Sequence, residues 1–224
     1  MTSKKIRILR ILILVSYGIF LATALSTAES FAETSPITDL SALQLSFCSV
    51  VSITIPFILS KKKGKLETVE WLVWLALALG FIFVALDDKL MFHERIDQAI
   101  HSWFQLKETR ISDGIDDLIV GAYGACGMIF LLLNRKYFIF SKRLIICSKY
   151  AISLLFLMVL CDMRDVYGSG GLIREALTLM EEWAKIFGGG LFLVGLICAL
   201  EDSLKMKHVI PKNSTECKKL RSQN

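Results

Sequence analysis

Hydrophobic positions along this chain fall into six long runs separated by shorter polar segments. The runs cover roughly residues 11–27, 41–59, 69–86, 118–133, 144–161 and 186–200. A helix needs about 20 apolar residues to cross a bilayer, so the shorter runs require flanking polar residues at the membrane boundary. The pattern predicts an all-α fold, a polytopic transmembrane helix bundle with five or six spans.

The first run leaves the number of spans open. Basic residues precede it, and Ser30-Phe31-Ala32 follows it with a small residue at each of the two positions that a signal peptidase reads. Residues 1–32 are therefore an uncleaved signal anchor, giving six spans, or a cleaved signal peptide, giving five. The anchor is favoured because a polytopic protein does not require a cleavable signal. The remaining chain divides into one helix-bundle domain, 33–207, and a basic tail, 208–224.

A different periodicity appears between the third and fourth runs, where residues 94–112 predict an amphipathic helix. Apolar residues recur there at i, i+4 and i+7, and polar residues occupy another face. The apolar face carries Ile96, Ile100 and Trp103, and the polar face carries Glu94, Asp97 and His101. Such a helix is expected to lie on the extracytoplasmic membrane surface or to cap the bundle.

Composition and charge place the protein in a membrane. The 224 residues are 54% hydrophobic with only 3 prolines, and the mean hydropathy is +0.56, which is too apolar for a soluble domain of this length. A net charge of +5 would suggest a nucleic-acid partner in a soluble protein. The charges are segregated along the chain, however, so the expected partner is the lipid bilayer and not nucleic acid.

The sign of the charge alternates from one polar segment to the next. Segment 61–65 is basic, segment 87–117 has eight acids and four bases, and segment 135–149 has five bases and no acid. Because Lys and Arg near the ends of spans resist translocation, this alternation predicts the orientation of the bundle. We expect an integral membrane protein with an acidic outer face, and with both termini cytoplasmic if the first run is uncleaved.

Histidines and carboxylates concentrate at the outer end of the third run. If one helix continues past residue 86, one arc of it contains Asp87, Glu94, Asp97 and His101, with His93 at its edge. Spacing by four places His93, Asp97 and His101 one above another. Side chains one turn apart on helices can converge on a divalent ion. The predicted metal ligands are His93, Asp97, His101 and Asp87, and the predicted catalytic carboxylates are Glu94 and Glu182.

Other acids occur at the same membrane level and leave a structural alternative open. These acids are Asp113, Asp116, Asp117, Asp162, Asp165, Glu181 and Glu182. They can also be explained by orientation alone, as the acidic outer counterpart of the basic cytoplasmic segments. In that case they are hydrated by water or paired with bases such as Lys89 and Lys185. Four of them are expected at helix N-termini, where acids are favoured. Glycines at 121, 124 and 127 and at 188–190 predict close helix packing.

One pattern of these residues has a counterpart elsewhere. The motif Asp87-Asp88-x4-His93-Glu94 at a span end, with Glu181-Glu182 opening a later glycine-bearing span, resembles small multi-pass inner-membrane proteins of bacteria. The resemblance implies membrane helices with acidic and histidine residues near one face. It implies no reaction, because that group has no established activity.

Three functions follow from the sequence, which does not decide whether the protein is an enzyme. The chain lacks a Walker phosphate loop, an HExxH motif, a GxSxG elbow and a dinucleotide fingerprint. The first function is a non-catalytic membrane-complex subunit or scaffold that binds a membrane-protein partner. The second is a metal-dependent hydrolase acting on a lipid-like substrate, and the third is ion or proton transport.

Overall fold

The computed structural model describes residues 36–64, 66–105, 114–166 and 172–206. Within these ranges the chain forms α-helices and one short 3₁₀ helix, Arg135–Tyr137, and no strand. The helices are α1 (Pro36–Lys63), α2 (Thr68–Leu90), α3 (Phe92–Phe104), α4 (Ile115–Leu133), α5 (Lys142–Val166) and α6 (Leu172–Lys205).

Five of these helices, all except α3, are long and apolar enough to cross a membrane. The prediction of an all-α polytopic bundle is therefore confirmed. The first apolar run, 11–27, and the basic tail, 208–224, lie outside the described residues. The choice between five and six spans, like the cleavage after Ala32, stays a prediction.

The helices α1 and α2 form an antiparallel hairpin that defines the two ends of the bundle. Lys63 Nζ lies 3.0 Å from Glu70 Oε1 at the end we call the basic end. Lys89 pairs with Asp39 at the opposite end, which we call the acidic end. Gly64 links the two helices with a φ of 79°, a left-handed conformation that favours glycine.

The core is built from α1, α2, α5 and α6. Trp74 of α2 is fully buried and meets the Phe138 ring edge-on at 5.1 Å between ring centroids. Phe81 and Phe192 make a similar contact between α2 and α6 at 5.5 Å. The most apolar stretch of α6 is 61% buried, the largest share among the five spans, so α6 is the central helix.

The glycines of α6 allow this close packing. A Cβ on Gly189 would lie 2.5 Å from Gln44 Oε1, and a Cβ on Gly188 would lie 3.0 Å from the Leu155 side chain. The packing role predicted for these two glycines is confirmed. In α4 a Cβ on Gly121 would lie 3.7 Å from Val159 of α5, so that glycine also packs against a neighbouring helix. The expectation is wrong for Gly124 and Gly127, where a Cβ would meet nothing within 4 Å in the described part of the chain.

Two predicted helix boundaries differ from the structure. The helix α6 begins at Leu172, so Glu181 and Glu182 lie roughly two and a half turns inside it and are not at its N-terminus. The amphipathic helix α3 covers Phe92–Phe104, whereas the sequence predicted 94–112. The acidic pair does not mark a helix end because an α-helix in a membrane protein can extend past the apolar stretch that crosses the bilayer.

Candidate functional site

The predicted site lies where α2 passes into α3, and the backbone breaks there. The helix α2 ends at Leu90, and Met91 adopts a left-handed conformation with a φ of 51°. The Met91 N–H donates a hydrogen bond to the Asp87 carbonyl oxygen over 2.8 Å. Positive φ is uncommon outside glycine and marks a sharp change of direction. The predicted metal site depended on one continuous helix from Asp87 to His101, and that prediction is therefore wrong.

This break brings Asp87 and His93 together. The buried Asp87 carboxylate, 4% exposed, accepts a hydrogen bond from the His93 backbone N–H, with 3.0 Å between nitrogen and Oδ1. Its other oxygen, Oδ2, lies 2.9 Å from His93 Nδ1. Because a carboxylate only accepts hydrogen bonds, Nδ1 of His93 is the donor. Asp87 thus stabilises the first turn of α3 and fixes the orientation of the imidazole ring.

A second histidine–carboxylate pair lies further along α3. His101 Nδ1 is 3.0 Å from Asp97 Oδ1 and 3.1 Å from the Asp97 carbonyl oxygen. The other ring nitrogen of His101, Nε2, is buried and has no hydrogen-bond partner in the described part of the chain. A histidine held in this way through Nδ1 presents the lone pair of Nε2, which is the arrangement found in many metal-bound histidines.

Asp88 makes an ion pair across the bundle. Its Oδ1 lies 2.7 Å from Lys185 Nζ on α6, and both side chains are mostly buried. Together with the Lys89–Asp39 pair, this contact joins α2 to α1 and α6 at the acidic end. Two of the bases named in the structural alternative, Lys89 and Lys185, therefore do neutralise acids at this end, although the acids are Asp39 and Asp88.

The predicted metal ligands consequently form two pairs. Among the residues that the structure describes, no three His, Cys, Asp or Glu side chains are placed to hold one metal ion. Glu94 lies in the first turn of α3, and Glu182 lies inside α6; both are partly buried. All six predicted site residues are at the acidic end. The side chains of Asp113, Asp162 and Asp165 lie outside the described residues.

A polar network that was not predicted from the sequence lies at the basic end. Arg143 of α5 lies 3.0 Å from Glu201 Oε2 on α6 and also pairs with Asp202. Asp202 accepts a hydrogen bond of 2.6 Å from Ser141, and Lys205 lies 2.7 Å from Glu201. The signal was present in the sequence, since two adjacent acids follow the last apolar run at the end where most charged residues are basic.

The helix α4 is the least packed span. Only 6% of its most apolar stretch is buried, compared with 22–61% in the other four spans. It contacts α3 and α5, and Tyr123 meets the Phe83 ring of α2 at 5.0 Å. Five small residues of α4 are exposed, namely Ala122, Gly124, Ala125, Cys126 and Gly127.

Comparison with known families places the chain. A family model described as a domain of unknown function matches residues 7–200. The chain belongs to the DUF8692 family. No curated protein and no solved structure matches this DUF8692 chain. The matched region contains all six predicted site residues and α4, so the acidic end and the loosely packed helix both belong to the DUF8692 domain.

Proposed function

We propose that this DUF8692 protein is a non-catalytic subunit or scaffold of a membrane complex. The observation that carries the proposal is the exposure of α4, whose apolar stretch is only 6% buried. Packing between helices in lipid depends on close approach, and interfaces are enriched in small residues. The exposed small residues of α4, from Ala122 to Gly127, fit a transmembrane helix of a partner.

The acidic end supports a structural role. Three carboxylates there are paired within the chain: Asp87 with His93, Asp88 with Lys185, and Asp39 with Lys89. The neighbouring α3 exposes Trp103 (86%) and Phe104 (69%). Large apolar side chains at a membrane boundary are suited to contact with lipid headgroups or with a partner. These contacts would place α3 beside the complex on its outer side.

The test replaces glycines by leucine in two different spans, α4 and α2. The full-length protein is extracted from its native membrane in mild detergent, and the mass of the complex is measured. Wild type is expected to carry a stoichiometric membrane partner, and Gly124→Leu with Gly127→Leu is expected to lose it because leucine blocks close approach. Gly80→Leu is the matched control, since Gly80 of α2 also faces open space.

The outcome separates a complex from an isolated chain. Retention of the partner by the Gly80→Leu variant and its loss from the α4 variant would support the proposal. A wild-type protein that migrates as a single chain without a partner contradicts it, as does an α4 variant that keeps the partner. Helix content measured by circular dichroism shows that each variant is folded.

A second candidate function is a metal-dependent hydrolase that acts on a lipid-like substrate. The observation that favours it is the buried Nε2 of His101, whose ring is held through Nδ1 by Asp97. In this function the two pairs, His93 with Asp87 and His101 with Asp97, would have to converge on one divalent ion, which would lower the pKa of a bound water and so supply a nucleophile. The predicted catalytic residues that would act on that water are Glu94 and Glu182.

Metal quantification decides between the two functions. Purified wild type would contain a stoichiometric divalent ion if it were this hydrolase, and the His93→Ala, His101→Ala double variant would lose it. Background metal in the wild type would rule the hydrolase out. Ion or proton transport has less support, because the spans described here carry carboxylates only towards their ends.

We infer an inner-membrane location in a bacterium, with the basic end in the cytoplasm. Lys61, Lys62 and Lys63 end α1, and Lys142 and Arg143 begin α5, so the basic residues of several spans share one end. This distribution supports the orientation in which positive residues stay inside. Both termini are then cytoplasmic if the first apolar run remains attached.

A further inference from the structure

A cleft opens between α4 and the core in the half of the bundle nearer the basic end. It has a volume of about 250 Å³ and opens to the surface of the protein. Its walls come from α2, α4, α5 and α6 and are mostly apolar, with Phe81, Leu131, Ile152 and Leu196 among them. The cleft accounts for part of the poor packing of α4, since it separates that helix from the core.

Two cations line the cleft. They are Arg135, which follows the end of α4, and Lys149, which lies two turns into α5. Both side chains are exposed, and neither has a carboxylate partner within ion-pair distance in the described part of the chain. Ser148 adds a hydroxyl group to the same wall.

Three other cations at the basic end, Lys63, Arg143 and Lys205, are neutralised within the protein. Lys63 pairs with Glu70, and Lys205 and Arg143 pair with Glu201. Within the described residues, carboxylates pair with these three cations but not with Arg135 and Lys149, the two cations that line the cleft. Cations left without a carboxylate beside an apolar cleft are complementary to a ligand that has an apolar chain and an anionic head.

We propose that this cleft binds one acyl chain of an anionic phospholipid, whose headgroup contacts Arg135 and Lys149. Basic pockets between transmembrane helices favour anionic headgroups, and a lysine placed inside a span extends its ammonium group towards the interface. A cleft of about 250 Å³ is smaller than one turn of a helix, which is about 10 Å across with its side chains, but it has room for part of a hydrocarbon chain. This inference concerns the inner half of the bundle and is independent of the proposed partner.

Native mass spectrometry with defined lipids tests the proposal. Delipidated full-length protein is titrated with phosphatidylglycerol or with phosphatidylcholine of the same acyl chains. Wild type is expected to bind one phosphatidylglycerol in preference to phosphatidylcholine. The Arg135→Ala, Lys149→Ala double variant is expected to bind phosphatidylglycerol about 30-fold more weakly, because each cation near the membrane surface contributes about 1 kcal/mol.

Two controls make the result specific to the cleft. Lys61→Ala with Lys62→Ala removes two basic-end cations that do not line the cleft and is expected to bind phosphatidylglycerol like wild type. Ser148→Phe adds bulk to the wall of the cleft and is expected to weaken the binding of both lipids. Equal binding of the two lipids by wild type, or equal loss in both double variants, would overturn the proposal. Circular dichroism establishes that the variants are folded.

Discussion

The Asp87 carboxylate stabilises an unusual backbone conformation at the acidic end. It accepts hydrogen bonds from the backbone and the ring of His93 directly after Met91, whose φ is 51°. A buried group that loses its hydrogen-bond partner retains the cost of desolvation. The pair therefore has a structural role whether or not either side chain also binds a ligand.

Replacing Asp87 should destabilise the junction between α2 and α3. Asp87→Ala leaves the His93 N–H without its acceptor, and we expect a loss of about 1–3 kcal/mol in the free energy of unfolding. Asp87→Asn should lose less, because the amide oxygen still accepts from the backbone N–H. Unfolding in detergent, followed by circular dichroism, measures both variants. An Asp87→Ala variant as stable as wild type would show that the pair contributes nothing.

At the scale of whole helices, α6 and α4 make contrasting use of their glycines. A Cβ on Gly195 of α6 would lie 2.9 Å from Cys147 Cβ, on the facing helix α5. Gly124 of α4 has open space in the same test. Both are glycines within apolar helices, so only the arrangement of neighbouring helices distinguishes them.

Alanine replacements of glycine should change the free energy of unfolding differently in α6 and in α4. Gly195→Ala is expected to lower the free energy of unfolding by about 1–3 kcal/mol, because the added methyl group overpacks the α5–α6 contact. Gly124→Ala is expected to leave it unchanged or to raise it slightly, since alanine favours helix more than glycine does. Denaturant unfolding of the purified protein measures the difference. Equal stability of the two variants would contradict the packing described for α6.

Across the whole molecule, ion pairs join the helices at both ends of the bundle. Asp88 with Lys185 joins α2 to α6 at the acidic end, and Arg143 with Glu201 joins α5 to α6 at the basic end. The middle of the bundle is held by apolar contacts such as Phe81 with Phe192. This division suits a bilayer, where charged groups are costly at the centre and are tolerated near the boundaries.

The orientation of the bundle can be tested with single cysteines. In a variant whose native cysteines are replaced by serine, Lys61→Cys is expected to react with a membrane-impermeant maleimide only after the cells are permeabilised. Ser102→Cys, on the exposed side of α3, is expected to react in intact cells. Labelling of both positions in intact cells, or the opposite pattern, would contradict the inferred topology.

The sequence determined the membrane class, the described spans and the existence of α3. Each depends on properties local to a segment, because a helix in lipid satisfies its own backbone hydrogen bonds and must be apolar over the bilayer thickness. The amphipathic pattern of α3 is equally local. The sequence also placed Asp87, His93, Asp97 and His101 at one end of the bundle, where the structure has them.

Only the tertiary structure decided how those residues pair and which surfaces stay open. Met91, in a left-handed backbone conformation, turns α3 away from the axis of α2. As a result His93 pairs with Asp87 and not with Asp97. The length of α6, the pairing of Arg143 with Glu201 and the cleft beside α4 depend equally on how the helices pack. Packing between helices depends on how side chains that are distant in sequence fit together. The periodicity of a single segment does not predict that fit.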